Sequence, residues 1–184
     1  MIPTSDERVD PADVQLIIDR IRQIPDYPQP GVVFKDITPA LADATAFNAV
    51  IEQLAATARD PVDVVVGIEA RGFIVGSPVA RALGAGFVPV RKAGKLPYQT
   101  ISRNYDLEYG SETIEIHSDA VKAGDRVLVV DDVLATGGTA RATCDLLTGL
   151  RAEVTTVAMM LEIAALDGRK KLEDYDLVSL IIDD

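Results

Sequence analysis

The chain has 184 residues, 48% of them apolar, enough for one domain with a substantial core and short of what two domains need. Its 29 acidic residues outnumber 18 basic ones for a net charge of −11, which argues against nucleic acid or an anionic membrane as a partner, since both need an electropositive footprint. No apolar run of about 18 residues occurs, and the opening "MIPTSDERVDPADV" lacks the basic-then-apolar order of a secretory leader, so a soluble cytoplasmic protein is expected.

Asp10 followed by Pro11 reads as an N-cap with proline in the first helical turn, and Val14, Ile17, Ile18, Ile21 and Ile24 then recur at helical spacing. "PDYPQPG" ends that helix, and "VVFKDI" follows as a short extended piece. Thr38-Pro39 opens a second helical stretch, with Phe47, Val50, Ile51, Leu54 and Ala58 on one stripe as far as Arg59. "VDVVVGI" at 62–68 is the β-branched run of a strand buried on both faces of a parallel sheet. "RGFIVGSPVARALG" is the next helix, with Gly84 as its terminator, and "GFVPV" at 86–90 a short strand.

The polar, tyrosine-rich stretch 96–110 has no sustained period and reads as a long surface excursion, after which "ETIEI" alternates back into the sheet. From residue 126 the order is strand "RVLVVDD", loop "VLATGG", helix "TARATCDLLTGL" and strand "EVTTVAMMLEI"; "YDLVSLII" is the last strand. Strands alternating with helices predict a doubly wound α/β sheet whose ligands bind at the carboxyl ends of its strands. The loops at 69–72, 91–95 and 131–139 should therefore converge on one site.

Cys144 is the single cysteine, so no intrachain disulfide can form; its place in a helix makes it a buried packer rather than a nucleophile. His117 is the single histidine, which removes zinc sites built on several His or Cys ligands, and it reads as strand surface.

The densest chemistry lies in "VLVVDDVLATGGTA", residues 127–140. Gly137 and Gly138 permit a turn and a close approach that side chains forbid, and Thr136 and Thr139 add hydroxyls. A helix beginning near Gly138 would aim free N–H groups and its positive end at an anion. The pattern is neither a Walker A loop nor G-x-G-x-x-G. A bare strand-to-helix turn with solvated acids is the alternative; an apolar strand, two acids and a threonine-flanked Gly-Gly together count against it. Arg91, Lys92 and Lys95 in "VRKAGKLP", and Arg71 in "GIEARGF", are the local concentrations of positive charge.

This segment resembles the signature of type I phosphoribosyltransferases, which bind 5-phosphoribosyl-1-diphosphate (PRPP). With "PGVVFKDITPAL", "GIEARGF", "VPVRKAGKLP", "YDLEYG" and "LDGRKKL" in order, almost the whole chain resembles the adenine-specific branch of that family. The resemblance implies a single domain over 1–184 with a central, mostly parallel sheet flanked by helices. A small N-terminal hood over about 1–40 would bind the base, and a flexible flap over about 96–110 would close the site. It implies transfer of the phosphoribosyl group from PRPP to adenine, giving AMP and diphosphate, with Mg²⁺ held mainly by PRPP, in a homodimer.

By position, the resemblance gives Ala135, Thr136, Gly137, Gly138 and Thr139 to the 5-phosphate and Asp131 and Asp132 to a ribose that becomes cationic as diphosphate leaves. Arg71, Arg91, Lys92 and Lys95 fall to the diphosphate. Val33 and Lys35 would pair with adenine through their backbones, Phe34 would stack on one face of the base and Leu134 would pack on the other; on sequence alone Phe34 could equally be core. In the flap, Glu108 would lie near the purine imidazole nitrogens as the base, beside Tyr109. A 6-oxopurine transferase and a PRPP-sensing regulator are the competing readings; "VVFKDI" counts against the first, and net −11 with no appended domain against the second.

Overall fold

The computed structural model describes residues 1–106 and 111–184. In chain order the elements are β1 (Ile2–Pro3), α1 (Pro11–Ile18), β2 (Arg22–Pro25), β3 (Val33–Asp36), α2 (Thr38–Ala42), α3 (Ala44–Ala56), β4 (Val64–Ile68) and α4 (Arg71–Leu83). They continue as β5 (Gly86–Lys92), β6 (Thr100–Asp106), β7 (Ser111–His117), β8 (Arg126–Leu134), α5 (Gly138–Gly149), β9 (Glu153–Ile163) and β10 (Leu177–Asp183), with two short 3-10 turns at Ala164–Leu166 and Gly168–Leu172.

Eight strands form one sheet in the order β1-β10-β9-β8-β4-β5-β7-β6. The run β10-β9-β8-β4-β5 is parallel throughout, and β1, β7 and β6 add antiparallel edges. Side chains alternate across it. Val65, Leu128, Val130, Ala158 and Met160 face a core shared with α1, α3 and α4, whereas Val66, Val127, Val129, Val157 and Met159 face α5. This is the helix-flanked, mostly parallel sheet expected of the sequence. A separate two-stranded antiparallel sheet, β2 with β3, lies within the stretch expected to be the hood.

Several boundaries differ from the sequence reading. Asp10 caps α1 as expected, accepting from Ala12 N at 2.8 Å. The helix nevertheless stops at Ile18, because Arg20 and Ile21 turn back onto Ile17 O and Ile18 O and Ile24 is carried into β2. Within residues 1–40, α1 packs in the main core, and the β2–β3 hairpin forms a sheet of its own. The helix from Thr38 to Arg59 is two helices, broken where Asp43 turns extended and its carboxylate accepts from Thr45 N and Ala46 N.

The stretch 96–110 contains β6, paired along its length with β7. Its apolar period is broken at Arg103, which shares a face with the inward-packed Ile101 and Tyr105 but is exposed and paired with Asp145 of α5 at 3.0 Å, while Ser102 and Asn104 face solvent. His117 is half-buried rather than on the surface, with a shielded Nε2 lacking a partner and its ring edge-on to Tyr98. Cys144 is a core packer, as expected; burial pushes its thiol up to about 12, leaving no nucleophilic thiolate near neutrality.

Leu147 of α5 is fully buried between that helix and the sheet. Leu147→Ala is expected to destabilise the fold by about 2–5 kcal/mol, read as a lower urea midpoint with the slope unchanged.

Candidate active site

The carboxyl ends of β4, β5 and β8 bring the three loops together, as the parallel order requires. Three adjoining cavities, of about 250, 180 and 100 Å³, make one cleft there. Arg71 lines the first and third, Asp131 the first and second, and Val133 all three. A larger hollow of about 650 Å³ lies elsewhere, beside Arg8, Arg59 and Arg169, and each of these guanidiniums is already paired with a carboxylate. Size alone does not locate the site.

The 180 Å³ cavity is lined by Ala135, Thr136, Gly137, Gly138 and Thr139. Helix α5 starts at Gly138 with Gly137 as its N-cap at φ 75°, and no side chain caps it, so its first N–H groups remain available to an anion. Gly137 is fixed twice over: its backbone is left-handed, and a Cβ there would collide with the Gly168 carbonyl.

Asp131 and Asp132 follow immediately on Val130, where β8 loses its pairing with β4. Asp132 is buried; Asp131 keeps some solvent contact at the cavity mouth but is otherwise enclosed by protein. Asp131 Oδ1 accepts from Asp132 N at 2.9 Å. Arg71 Nε lies 2.8 Å from Asp132 Oδ2, but out of line for a hydrogen bond, so that oxygen has a counter-charge and, among the described residues, no donor. Burial, and then the Asp132 charge, push the Asp131 carboxyl well above its ordinary range. Burial raises Asp132 as well, with Arg71 pulling it back. The pair is short of donors and positive charge. Gly72 allows the close fit: a Cβ there would stand 2.7 Å from Asp131 Oδ1.

Of the expected cations, Arg71 and Lys92 line the 250 Å³ cavity, whereas Arg91 and Lys95 do not and reach it only through Glu69, which does; each of the four is paired with an internal carboxylate. Glu69, at the end of β4, accepts from Lys92 N at 2.8 Å and from Arg91 Nε at 3.3 Å, and pairs with Lys95 Nζ. Burial pushes the Glu69 carboxyl up, but Lys95, the Lys92 amide and Arg91 outweigh it and hold it below its usual range. Lys92 Nζ reaches Glu112 Oε1 at 2.7 Å.

The 100 Å³ cavity joins Val33, Phe34 and Lys35 of the hood to Arg71, Val133, Leu161 and Ile163. Phe34 meets Tyr27 edge-on at 5.3 Å, and Lys35 Nζ is anchored to an Asp183 carboxylate oxygen at 3.0 Å. Leu134 does not line this cavity. It is buried on the α5 side and borders the 180 Å³ cavity, and Val133 lines the 100 Å³ cavity instead. Strict alternation fails at the end of β8 because Asp131 onward pairs only with β9, freeing the strand to twist.

Glu108 and Tyr109 lie outside the described residues. Sequence reasoning missed Tyr105 and Glu112, which line the central cavity with Tyr105 OH donating to Glu112 Oε2 at 2.8 Å. Their signal was the alternation of "TISRNYD" facing "SETIEIH", hidden by the polarity of an edge strand. It also missed Gly168, whose backbone contact with the phosphate loop has no local signature.

Residues 35–184 match the phosphoribosyl transferase domain model. The chain belongs to the phosphoribosyl transferase family. Within it, a curated adenine phosphoribosyltransferase from Thermobifida fusca is 56% identical over 170 residues, covering 91% of this chain and 97% of that protein. The crystal structure of adenine phosphoribosyltransferase from Thermoanaerobacter pseudethanolicus superposes with a TM-score of 0.88 at 51% identity, over 92% of this chain and 99% of that one. The Saccharomyces cerevisiae enzyme, solved with adenine and an imino-altritol bisphosphate, gives 0.86 at 37% identity, over 92% and 98%. The place of this chain in the family is with these adenine phosphoribosyltransferases.

The acid pair sets a stability prediction. A carboxyl raised in the folded state takes up protons that the unfolded chain has released, so stability falls as pH rises from the ordinary value of 3.8 through the raised one. Asp131→Asn removes that loss and retains an Oδ1 acceptor for Asp132 N. The variant should melt above the parent at pH 7 and converge on it near pH 4, as measured by calorimetry.

Proposed function

We propose that this protein transfers the 5-phosphoribosyl group of PRPP to adenine, releasing diphosphate and AMP, as a purine-salvage glycosyltransferase. The observation that carries this is the continuity of the cleft: around Val133, which lines all three cavities, lie an uncapped helix start, an electron-rich acid pair, the cations Arg71 and Lys92 and the hood hairpin, giving separate places to the 5-phosphate, the ribose, the diphosphate and the base. The curated relatives named for the adenine reaction support it.

In this reading the 5-phosphate takes the free N–H groups of Gly138 and its neighbours, with Thr136 and Thr139 hydroxyls beside them. Asp131 and Asp132 accept from the ribose 2- and 3-hydroxyls, donors that the pair lacks in the free protein. As the C1–O bond to diphosphate breaks, the ribose gains oxocarbenium character, and the same carboxylates stabilise that charge in a site of low dielectric. Arg71, Arg91, Lys92 and Lys95 take up the negative charge that collects on diphosphate.

Among the described residues, no group of three His, Cys, Asp or Glu side chains stands close enough to hold a metal alone. The orphaned Asp132 Oδ2 and the neighbouring Asp131 are hard oxygens of the kind Mg²⁺ accepts when substrate phosphates and water complete its shell. The site thus fits Mg²⁺ brought in by PRPP, with Asp131 and Asp132 the residues that would help to hold it. When bound, the ion would neutralise charge on the leaving diphosphate.

The hood hairpin leaves one edge of β3 without a strand partner, so its backbone can offer adenine one carbonyl for the 6-amino group and one N–H for N1. A 6-oxopurine reverses that pattern and strands buried polar groups. Phe34 and Val133 flank the slot. Glu108 is the proposed acceptor of the proton that adenine N9 loses. We place the enzyme in the cytoplasm as a homodimer; the single, buried, unpaired cysteine accords with a reducing compartment.

The direct test is AMP formation from adenine, PRPP and Mg²⁺, beside hypoxanthine, guanine and xanthine. Turnover with adenine alone is expected, and its absence would overturn the reading. Asp131→Asn should lower turnover by about 10²- to 10³-fold while affinity for ribose 5-phosphate stays within a few fold. Equal losses in both would mean that the acids merely shape the loop.

A further inference from the structure

The motif "LDGRKKL" takes no part in the cleft: neither Gly168 nor Arg169 lines any of its three cavities. Its backbone nevertheless sits directly on the phosphate loop. A Cβ at Gly168 would run into the Ala135 carbonyl oxygen and come within 3.0 Å of Gly137 N, and a Cβ at Gly137 would run into the Gly168 carbonyl. The two glycines are in mutual contact, so the loop that receives the anion has a second backbone as its floor.

That floor is fastened from both sides. Arg169 bridges to both carboxylate oxygens of Glu162, at 3.0 and 2.5 Å, and donates to Leu177 O at 3.2 Å. Glu162 is buried, and Ser179 of β10 donates to it at 2.7 Å. Glu162 also pairs across the sheet with Leu134, the residue that enters the phosphate loop. On the other side Arg141, in the helix that begins at the loop, donates to Lys171 O at 3.2 Å. Leu172 roots the segment in the core with no exposed surface.

We propose that Gly168 and Arg169 are positioning residues for the 5-phosphate: Arg169, clamped on buried Glu162, holds the Gly168 backbone against Ala135–Gly137 and so fixes the directions of the loop N–H groups. Neither residue touches substrate. The inference rests on the phosphate assignment of the preceding subsection. It explains why a guanidinium is used, since only a planar fork reaches both carboxylate oxygens and a carbonyl together.

The test is calorimetric binding of ribose 5-phosphate, with separate KM values for PRPP and adenine. Gly168→Ala and Arg169→Ala should each weaken ribose 5-phosphate and raise the PRPP KM by about 10- to 100-fold, leaving the adenine KM within about twofold at saturating PRPP. Arg169→Lys should restore part of the loss. If Gly168→Ala does not fold, the Arg169 pair decides the matter alone. Unchanged ribose 5-phosphate affinity in folded variants, or parallel losses for both substrates, would overturn the brace and leave the transferase reading standing. Failure of the parent protein to bind ribose 5-phosphate would overturn both.

Discussion

The costliest feature of this molecule is the placing of two successive carboxylates inside the carboxyl edge of a parallel sheet. Charge in that position is disfavoured by burial and by its neighbour, and the one guanidinium nearby offsets this only in part. The surrounding architecture follows from tolerating them. Strand β4 stops pairing where they begin, Gly72 gives up its side chain to let helix α4 pass, and Arg71 opens that helix so that its guanidinium can reach Asp132. The result is a site that is electron-rich at its centre and cationic on one flank, the charge pattern that the proposed oxocarbenium-like ribose calls for.

Much of this could be read from the residues, because the informative signals were local. The N-cap at Asp10, the β-branched run expected at 62–68 and found at 64–68, Gly84 as a terminator and the Gly137-Gly138 turn each act over a few residues. What stayed hidden depended on partners distant in sequence. Nothing in "VVDDVL" says that β4 ends opposite Val130, so the exchange of Leu134 for Val133 at the base cavity was out of reach. The edge strand β6 looks irregular because Arg103, on the face shared by Ile101 and Tyr105, reaches out to pair with Asp145. The contact between Gly137 and Gly168 joins positions whose proximity only the packed sheet creates.

The hood illustrates a different limit. The extended character of "VVFKDI" was plain from its β-branched and aromatic content, but its partner strand was read as the tail of a helix, since Ile21 and Ile24 continue the helical period by coincidence. Tertiary pairing with β3 overrode that preference.

The internal pairing of the cations has a consequence for traffic through the cleft. Glu69 already holds Lys95, Arg91 and the Lys92 amide, and Glu112 holds the Lys92 ammonium. An arriving polyanion therefore exchanges partners with a resident carboxylate, so the net gain in attraction is smaller than the number of positive groups suggests. The same exchange runs in reverse on departure: the resident acids reclaim the cations and no bare charge is left behind. On the proposed reading, a strongly acidic protein can thus keep a pocket ready for diphosphate without gripping it.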